Sequence, residues 1–431
     1  MSAFKQSMRK LGIRAGLLTG ASLAVVAIAG AGASSASAAC TGEIAGQGSS
    51  LQKIAQTEIW TSGYTAGGCA GGNAEPKYTS SSSGTGLAAW GYTGGAIERT
   101  WKYIGTDDGP NSTQIGNAKT AAGAGSHTVT VPVAQTAIAI LIHPPTGCTL
   151  NSITNVHLEE AFSGAAESWS AIGAVKTGTT EACPGTKNLT RVVRKDASGT
   201  TYQFKNYLSL INKLRHSGTE EPACAGQKKW TELEEVPTKN LEWPQCGSIS
   251  QVTPAGTGGG EVVAKVVATE GAIGYAALPD SKKNASSVTT NVQNNGISGS
   301  PIFKAPGTGT EEANCASAEY TVPAAGNKTL SGSGIDVDWS QVFGGQPSIG
   351  GTTYPICTLT YDLGWENYVT SGFAAGVGTS VKKFYEYIIT NGTGTGTVKK
   401  WYSNVPAKTS VTEEHNVEAA AKFAIEKITA N

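Results

Sequence analysis

The segment Arg194-Lys195-Asp196-Ala197-Ser198-Gly199-Thr200-Thr201 constrains this chain more than any other. A hydrophobic run ending in Val192-Val193 leads into it, and Tyr202-Gln203-Phe204-Lys205-Asn206-Tyr207-Leu208 follows with helical periodicity. Strand, Ser-Gly-Thr turn and helix in that order aim the unpaired N–H groups of a helix start and two hydroxyls at one point. The partial positive charge of the helix N-terminus acts on the same point, so the segment reads as an anion site. Arg194 adds a planar, permanently charged fork suited to oxyanions, and Asp196 stands where it can hold that guanidinium in place. The competing reading is chance recurrence of Ser-Gly-Thr in a chain with 56 glycines.

At 431 residues the chain exceeds the usual limit for one hydrophobic core, so two lobes are expected. Its 32 basic and 32 acidic residues cancel, which removes the electrostatic footprint of a nucleic-acid binder. The N-terminus has the form of an export signal. Lys5, Arg9, Lys10 and Arg14 precede an apolar run over 17–31, and Ala36-Ser37-Ala38 is an A-x-A cleavage site. The run is too short and glycine-broken for a membrane span. The mature chain is expected to start near Ala39, in the periplasm or on the outer face of the cell membrane.

Eight cysteines suit that destination: Cys40, Cys69, Cys148, Cys183, Cys224, Cys246, Cys315 and Cys357. They are expected to form four disulfides, with neighbours such as Cys40 with Cys69 and Cys224 with Cys246 as partners. None lies in a C-x-x-C pair, which disfavours zinc. Cys40 also follows Ser37-Ala38-Ala39 in the manner of a degenerate lipobox, an alternative that would leave seven cysteines.

Strands and helices alternate along the chain, which argues for an α/β layered fold. Gly46-Gln47-Gly48-Ser49-Ser50-Leu51 opens a helix through Ile54, Ile59 and Trp60. Tyr78 and the polar turn 79–86 lead into a helix expected to start at Leu87, and 101–105 reads as a short strand ending in Thr106-Asp107-Asp108-Gly109-Pro110. The run 129–143 is the longest strand. Further elements are a helix over 261–267, a buried strand over 271–276, and helices over 380–389 and 417–428. Residues 217–245 read as a surface excursion, 284–334 give little pattern, and Gly392-Thr393-Gly394-Thr395-Gly396-Thr397 reads as a linker.

Four turns share one composition and a familiar order: Gly46 to Ser50, Tyr78 to Gly86, Gly105 to Pro110, and Arg194 to Thr200. With Trp243-Pro244, Glu270-Gly271-Ala272-Ile273-Gly274-Tyr275, Tyr354-Pro355-Ile356 and Tyr402-Ser403-Asn404-Val405-Pro406, the chain resembles the phosphate-binding proteins of bacterial phosphate-import ABC transporters. The resemblance spans most of the mature chain; Arg-x-Asp-x-Ser-Gly-Thr and Gly-Ala-Ile-Gly-Tyr are its specific parts.

That resemblance implies a two-lobed α/β fold of the type II periplasmic-binding-protein class, each lobe a mixed sheet flanked by helices. The first lobe would comprise 39–132 and 358–431, and the second 133–357 with inserted surface loops. Chain crossings are expected near Val131-Pro132-Val133 and near 354–359. The implied ligand is inorganic phosphate in the interlobe cleft, and the implied partner is the membrane permease of an ABC importer. A monomer without cofactor or metal is expected.

Carried over by position, Ser50 is a hydroxyl donor, Leu51 a backbone donor, and Ser83 a second hydroxyl donor. Arg194 is the guanidinium, Ser198, Gly199 and Thr200 the cradle, and Asp196 the carboxylate that orients the arginine. Asp108 matches the acidic acceptor by the register of Gly105 and Pro110, although Asp107 stands beside it and either carboxylate can serve. The extra regions 217–245 and 284–334 are expected to lie away from these motifs. The physical logic agrees, because a buried dianion needs every oxygen hydrogen-bonded. An acidic acceptor suits phosphate, which keeps a proton near neutral pH, and rejects sulfate, which has none.

An enzyme is not expected, since no G-x-S-x-G elbow occurs and His127, His143, His157, His216 and His415 lack triad-like or metal-like spacing. The rival reading is a receptor of the same fold for another oxyanion, or a secreted surface protein that has kept the fold.

Overall fold

The computed structural model describes residues 43–67, 76–234, 240–316, 318–392, 400–407 and 415–429. The expected export signal, Cys40, Cys69 and residues 393–397 of the expected linker lie outside them. The described residues belong to one compact unit, Ala38–Asn431.

The strand Thr128–His143 organises the molecule. Its run of Val, Ile, Ala and Leu is buried almost throughout, as expected of a strand covered on both faces. Its first part, from Thr128 to Ala137, pairs antiparallel with Cys357–Trp365. Its second part, from Ile138 to His143, pairs antiparallel with Ala272–Ala277. Beyond Cys357–Trp365 the sheet continues through Tyr103–Thr106 and Ile44–Gly48 to Pro76–Ser80; beyond Ala272–Ala277 it continues through Thr190–Val192 to Ser250–Val252. Two mixed sets of strands therefore share one central strand.

Pro132 would break a central ladder, having no N–H to donate. The register slips between Thr360 and Tyr361, where Thr360 faces Ala134 and Tyr361 faces Pro132. This bulge accommodates the proline and adds local twist.

Helices leave the carboxyl ends of the outer strands. Ser83–Ala89 follows Pro76–Ser80, Gly199–Arg215 follows Thr190–Val192, and Gly259–Val267 follows Ser250–Val252. Ser82 caps the first by accepting from Thr85 N–H, and Ser198 caps the second by accepting from Thr201 N–H at 3.2 Å. The first helix starts four residues before the expected Leu87, because the serine run supplies the cap. The helix after Ser49-Ser50 contains a π-helical turn, Ala55–Trp60.

Two expectations about the added regions need correction. The 217–245 excursion is not a purely surface feature: Trp230 and Asn240 are fully buried, and Lys205 Nζ on the Gly199–Arg215 helix donates to the carbonyls of Leu233, Asn240 and Glu242. The 284–334 region contributes the strand Val288–Gln293, which pairs with Thr128–His143. Three disulfides occur among the described residues: Cys148–Cys183, Cys224–Cys246 and Cys315–Cys357. The second is the pair expected from proximity. Among the described residues no helix is long and apolar enough to cross a membrane.

Candidate functional site

The Ser83 and Gly199 helices meet end to end. Gly84 N–H donates to Ala197 C=O at 3.1 Å, which ties the start of one helix to the turn before the other. Gly199 has to be glycine: a Cβ there would stand 2.7 Å from both Ser83 Oγ and Asp108 N. Two helix N-termini and their hydroxyls thus converge on a small buried volume.

Asp107 lies at its centre, fully buried. Its Oδ1 accepts from Ser49 Oγ at 2.5 Å and from Thr360 Oγ1 at 2.8 Å, and its Oδ2 accepts from Thr200 Oγ1 at 3.1 Å. Its backbone N–H donates to Ser83 Oγ at 3.2 Å, and its C=O accepts from Gln203 Nε2 at 3.0 Å. Burial pushes its carboxyl above the usual range, while the three hydroxyls and the Arg194 charge pull it back.

Arg194, also buried, donates through Nε to Asp196 Oδ1 at 2.7 Å and through Nη2 to Asp196 Oδ2. Burial opposes its charge, but Asp196 more than offsets this and holds its pKa above the ordinary value. The pair uses two of the five N–H groups of the guanidinium and fixes its plane. Asp280 is a further buried carboxyl close to this arginine. Burial raises its pKa to about 7 against the opposing charges of Arg194 and Lys53.

The remaining expected residues gather around the same volume. Ser50 Oγ accepts from Gly259 N–H at 3.2 Å, which brings the start of a third helix to the site. Leu51 N–H is turned onto Ser49 Oγ at 3.0 Å. Ser198 is anchored through its backbone, donating to Asn240 Oδ1 at 2.9 Å and accepting from Asn240 Nδ2 at 2.8 Å. Asp108 is buried next door, but its backbone groups close a turn with Thr106 Oγ1. Its charge acts on Tyr202, Tyr361 and Glu234. The hydroxyls from Ser49, Thr200 and Thr360 converge on Asp107 instead.

Sequence reasoning passed over Ser49, Thr360, Gly259 and Asn240. Ser49 sits beside the chosen Ser50 and was separable only by register. Thr360 had a signal in the alternation Thr358, Thr360, Asp362 of an otherwise apolar strand. Asn240 lies in an irregular segment and gave none. Among the described residues no group of His, Cys, Asp and Glu is arranged to hold a metal ion.

Chemically, the buried cluster offers neutral donors, a guanidinium oriented by Asp196, and the Asp107 carboxyl, with the carboxyls of Asp108 and Asp280 close by. That set can enclose a small oxyanion that brings a proton for the carboxylate.

A family model described as a PBP superfamily domain matches residues 33–390. No curated protein sequence matches the chain. Among solved structures, a phosphate-binding protein from Stenotrophomonas maltophilia superposes with a TM-score of 0.58 at 17% identity, covering 89% of this chain and 93% of its own. A high-affinity periplasmic phosphate-binding protein solved with phosphate bound gives 0.56 at 19%, covering 90% and 99%. An ancestral soluble variant of the human phosphate-binding protein gives 0.56 at 20%, covering 89% and 98%.

Proposed function

The chain belongs to the PBP superfamily, and on that premise we propose that it captures inorganic phosphate outside the cytoplasm and delivers it to the permease of an ABC importer. The observation that carries this reading is Asp107: a buried carboxylate, accepting from three hydroxyls, set beside Arg194 and the first turn of the Gly199–Arg215 helix. Phosphate near neutral pH retains a proton, and Asp107 is the group to accept it. This role moves one residue from the expected Asp108.

Ser50, Ser83 and Thr200, with the N–H groups of Gly199 and Thr200 and the Arg194 guanidinium, are the proposed donors, while Ser49 stays on Asp107 and keeps the Leu51 N–H. Their hydroxyls re-aim from Asp107 and neighbouring backbone to the ligand oxygens at little cost, because a hydroxyl rotates about a single bond. Asp196 orients Arg194. The site hydroxyls come from both sides of the shared strand Thr128–His143, so the lobes are taken as 39–132 with 358–431 and 133–357. Phosphate would bridge them and favour closure. The protein acts as a monomeric exported receptor rather than an enzyme, with phosphate as cargo.

Calorimetric titration of the mature protein with phosphate, sulfate and arsenate tests this reading. Phosphate and arsenate are expected to bind and sulfate to be excluded. Tight sulfate binding with weak phosphate binding would instead establish a receptor for a fully ionised oxyanion.

A further inference from the structure

Behind Asp107 runs a buried chain of side-chain amides that the phosphate reading does not use. Gln52 and Gln56 lie one turn apart at the start of the helix with the π-helical turn, and both are fully buried. Gln52 Nε2 donates to Tyr361 C=O at 2.8 Å and to Thr360 Oγ1 at 2.7 Å, while Gln52 Oε1 accepts from Gln56 Nε2 at 2.9 Å. Gln56 Nε2 also reaches both carboxylate oxygens of Asp362 at 3.2 Å, and Gln56 Oε1 accepts from Tyr103 O–H at 2.9 Å. Space for the Gln52 amide exists because residue 105 is glycine: a Cβ there would lie 2.5 Å from Gln52 Oε1.

The polarity of this chain follows from one group. Tyr361 C=O can only accept, so the nitrogen of Gln52 must face it. That same nitrogen then donates to Thr360 Oγ1. A threonine hydroxyl has one proton, and Thr360 Oγ1 lies 2.8 Å from Asp107 Oδ1 against 3.2 Å from Thr106 C=O. Ser49 is locked in the same sense, since it receives Leu51 N–H and has only its proton to give Asp107.

We propose that Gln52 is a specificity-determining positioning residue: by donating to Thr360 Oγ1 it commits and strengthens the Thr360 hydroxyl as a donor to Asp107, which keeps that carboxyl ionised and therefore an acceptor only, so the site admits only an oxyanion that brings its own proton. This rests on the phosphate reading above. The charged and titratable groups that share the field of Asp107 are Arg194, Asp280, Tyr78, Tyr361 and Tyr402. None of them is replaced in the test.

The consequence concerns sulfate. Sulfate binds only if Asp107 carries a proton to give it. A hydroxyl that receives a hydrogen bond gives a stronger one, so taking the Gln52 donor from Thr360 weakens the Thr360 hydrogen bond to Asp107, destabilises the charged carboxylate and lets Asp107 protonate at higher pH. Gln52→Met keeps volume and removes the donor to Thr360 Oγ1. Gln52→Glu places an acceptor there, draws the Thr360 hydroxyl away from Asp107 and adds a neighbouring charge.

The test is sulfate and phosphate titration of wild type, Gln52→Met and Gln52→Glu from about pH 5 to about pH 8, with melting curves alongside. In both variants sulfate binding is expected to emerge at higher pH than in wild type, further for Gln52→Glu, with phosphate binding retained. If Gln52→Glu does not fold, Gln52→Met alone decides. A folded Gln52→Met whose sulfate profile overlays wild type overturns the proposal. Failure of wild type itself to bind phosphate overturns the reading beneath it.

Discussion

Asn240 holds both backbone groups of Ser198, accepting from its N–H at 2.9 Å and donating to its C=O at 2.8 Å. Ser198 caps the helix whose first turn faces Asp107, so a residue from the 217–245 excursion sets the position of the proposed anion cradle. The excursion is itself tied down by Lys205 from the same helix and by Cys224–Cys246.

Asn240→Ala leaves the buried N–H and C=O of Ser198 without partners. A loss of ~2–4 kcal/mol in unfolding free energy is expected, one to two unmet buried groups. Phosphate affinity should fall as well, because the N–H groups of the helix start lose their aim. Denaturant titration and calorimetry on the same variant check both. An unchanged midpoint would mean that Lys205 and the disulfide hold the loop unaided.

Arg194→Ala removes the guanidinium and strands Asp196, whose side chain is 10% exposed. Phosphate and arsenate should weaken together by roughly 100-fold, the value of a lost hydrogen bond to a charged group. Arg194→Lys should rescue little of this, since an ammonium cannot make the paired contact with Asp196. Near-wild-type affinity in the lysine variant would show that charge alone suffices.

Stability should fall with rising pH, and Asp362 is one cause. Burial raises its pKa to about 8, against hydrogen bonds from Gln56 and Gln52 that lower it. The folded protein therefore keeps a proton that the unfolded chain releases near the ordinary value of 3.8. Between those values unfolding releases protons, so stability declines as pH climbs towards about 8. Glu234, raised to about 8, and Asp280, raised to about 7, act in the same sense. Asp362→Asn keeps an acceptor for Gln56 and removes this contribution. Its stability relative to wild type should rise between about pH 5 and about pH 8, as read by denaturant melts. A constant difference across that range would place the Asp362 charge elsewhere in the scheme.

The turn proposed as the anion cradle was legible as structure, where local sequence sets local structure. Ser198-Gly199-Thr200 announces a strand–turn–helix, and Arg194 and Asp196 lie two residues apart, so their pairing needed no tertiary knowledge. The long strand Thr128–His143 was legible from its apolar run. What escaped depends on long-range register. The choice between Asp107 and Asp108 turns on which way a residue points after the last strand position. Thr360 reaches Asp107 from 253 residues away. Asn240 approaches Ser198 from an irregular loop in which neither periodicity nor turn chemistry marks its role. The start of the Ser83 helix was misplaced for a local reason: a run of serines offers several caps, and only Ser82 is used.

Sulfate titration of Asp107→Asn beside Asp108→Asn tests the central claim, that Asp107 is the acceptor for the proton of a bound oxyanion. Asp107→Asn replaces an obligate acceptor with an amide that also donates, so sulfate should become a measurable ligand while phosphate weakens by ~1.5–3 kcal/mol. Asp108→Asn should leave sulfate excluded, by roughly 10⁴ relative to phosphate as in the wild type. Sulfate admitted by Asp108→Asn and still rejected by Asp107→Asn would contradict the account.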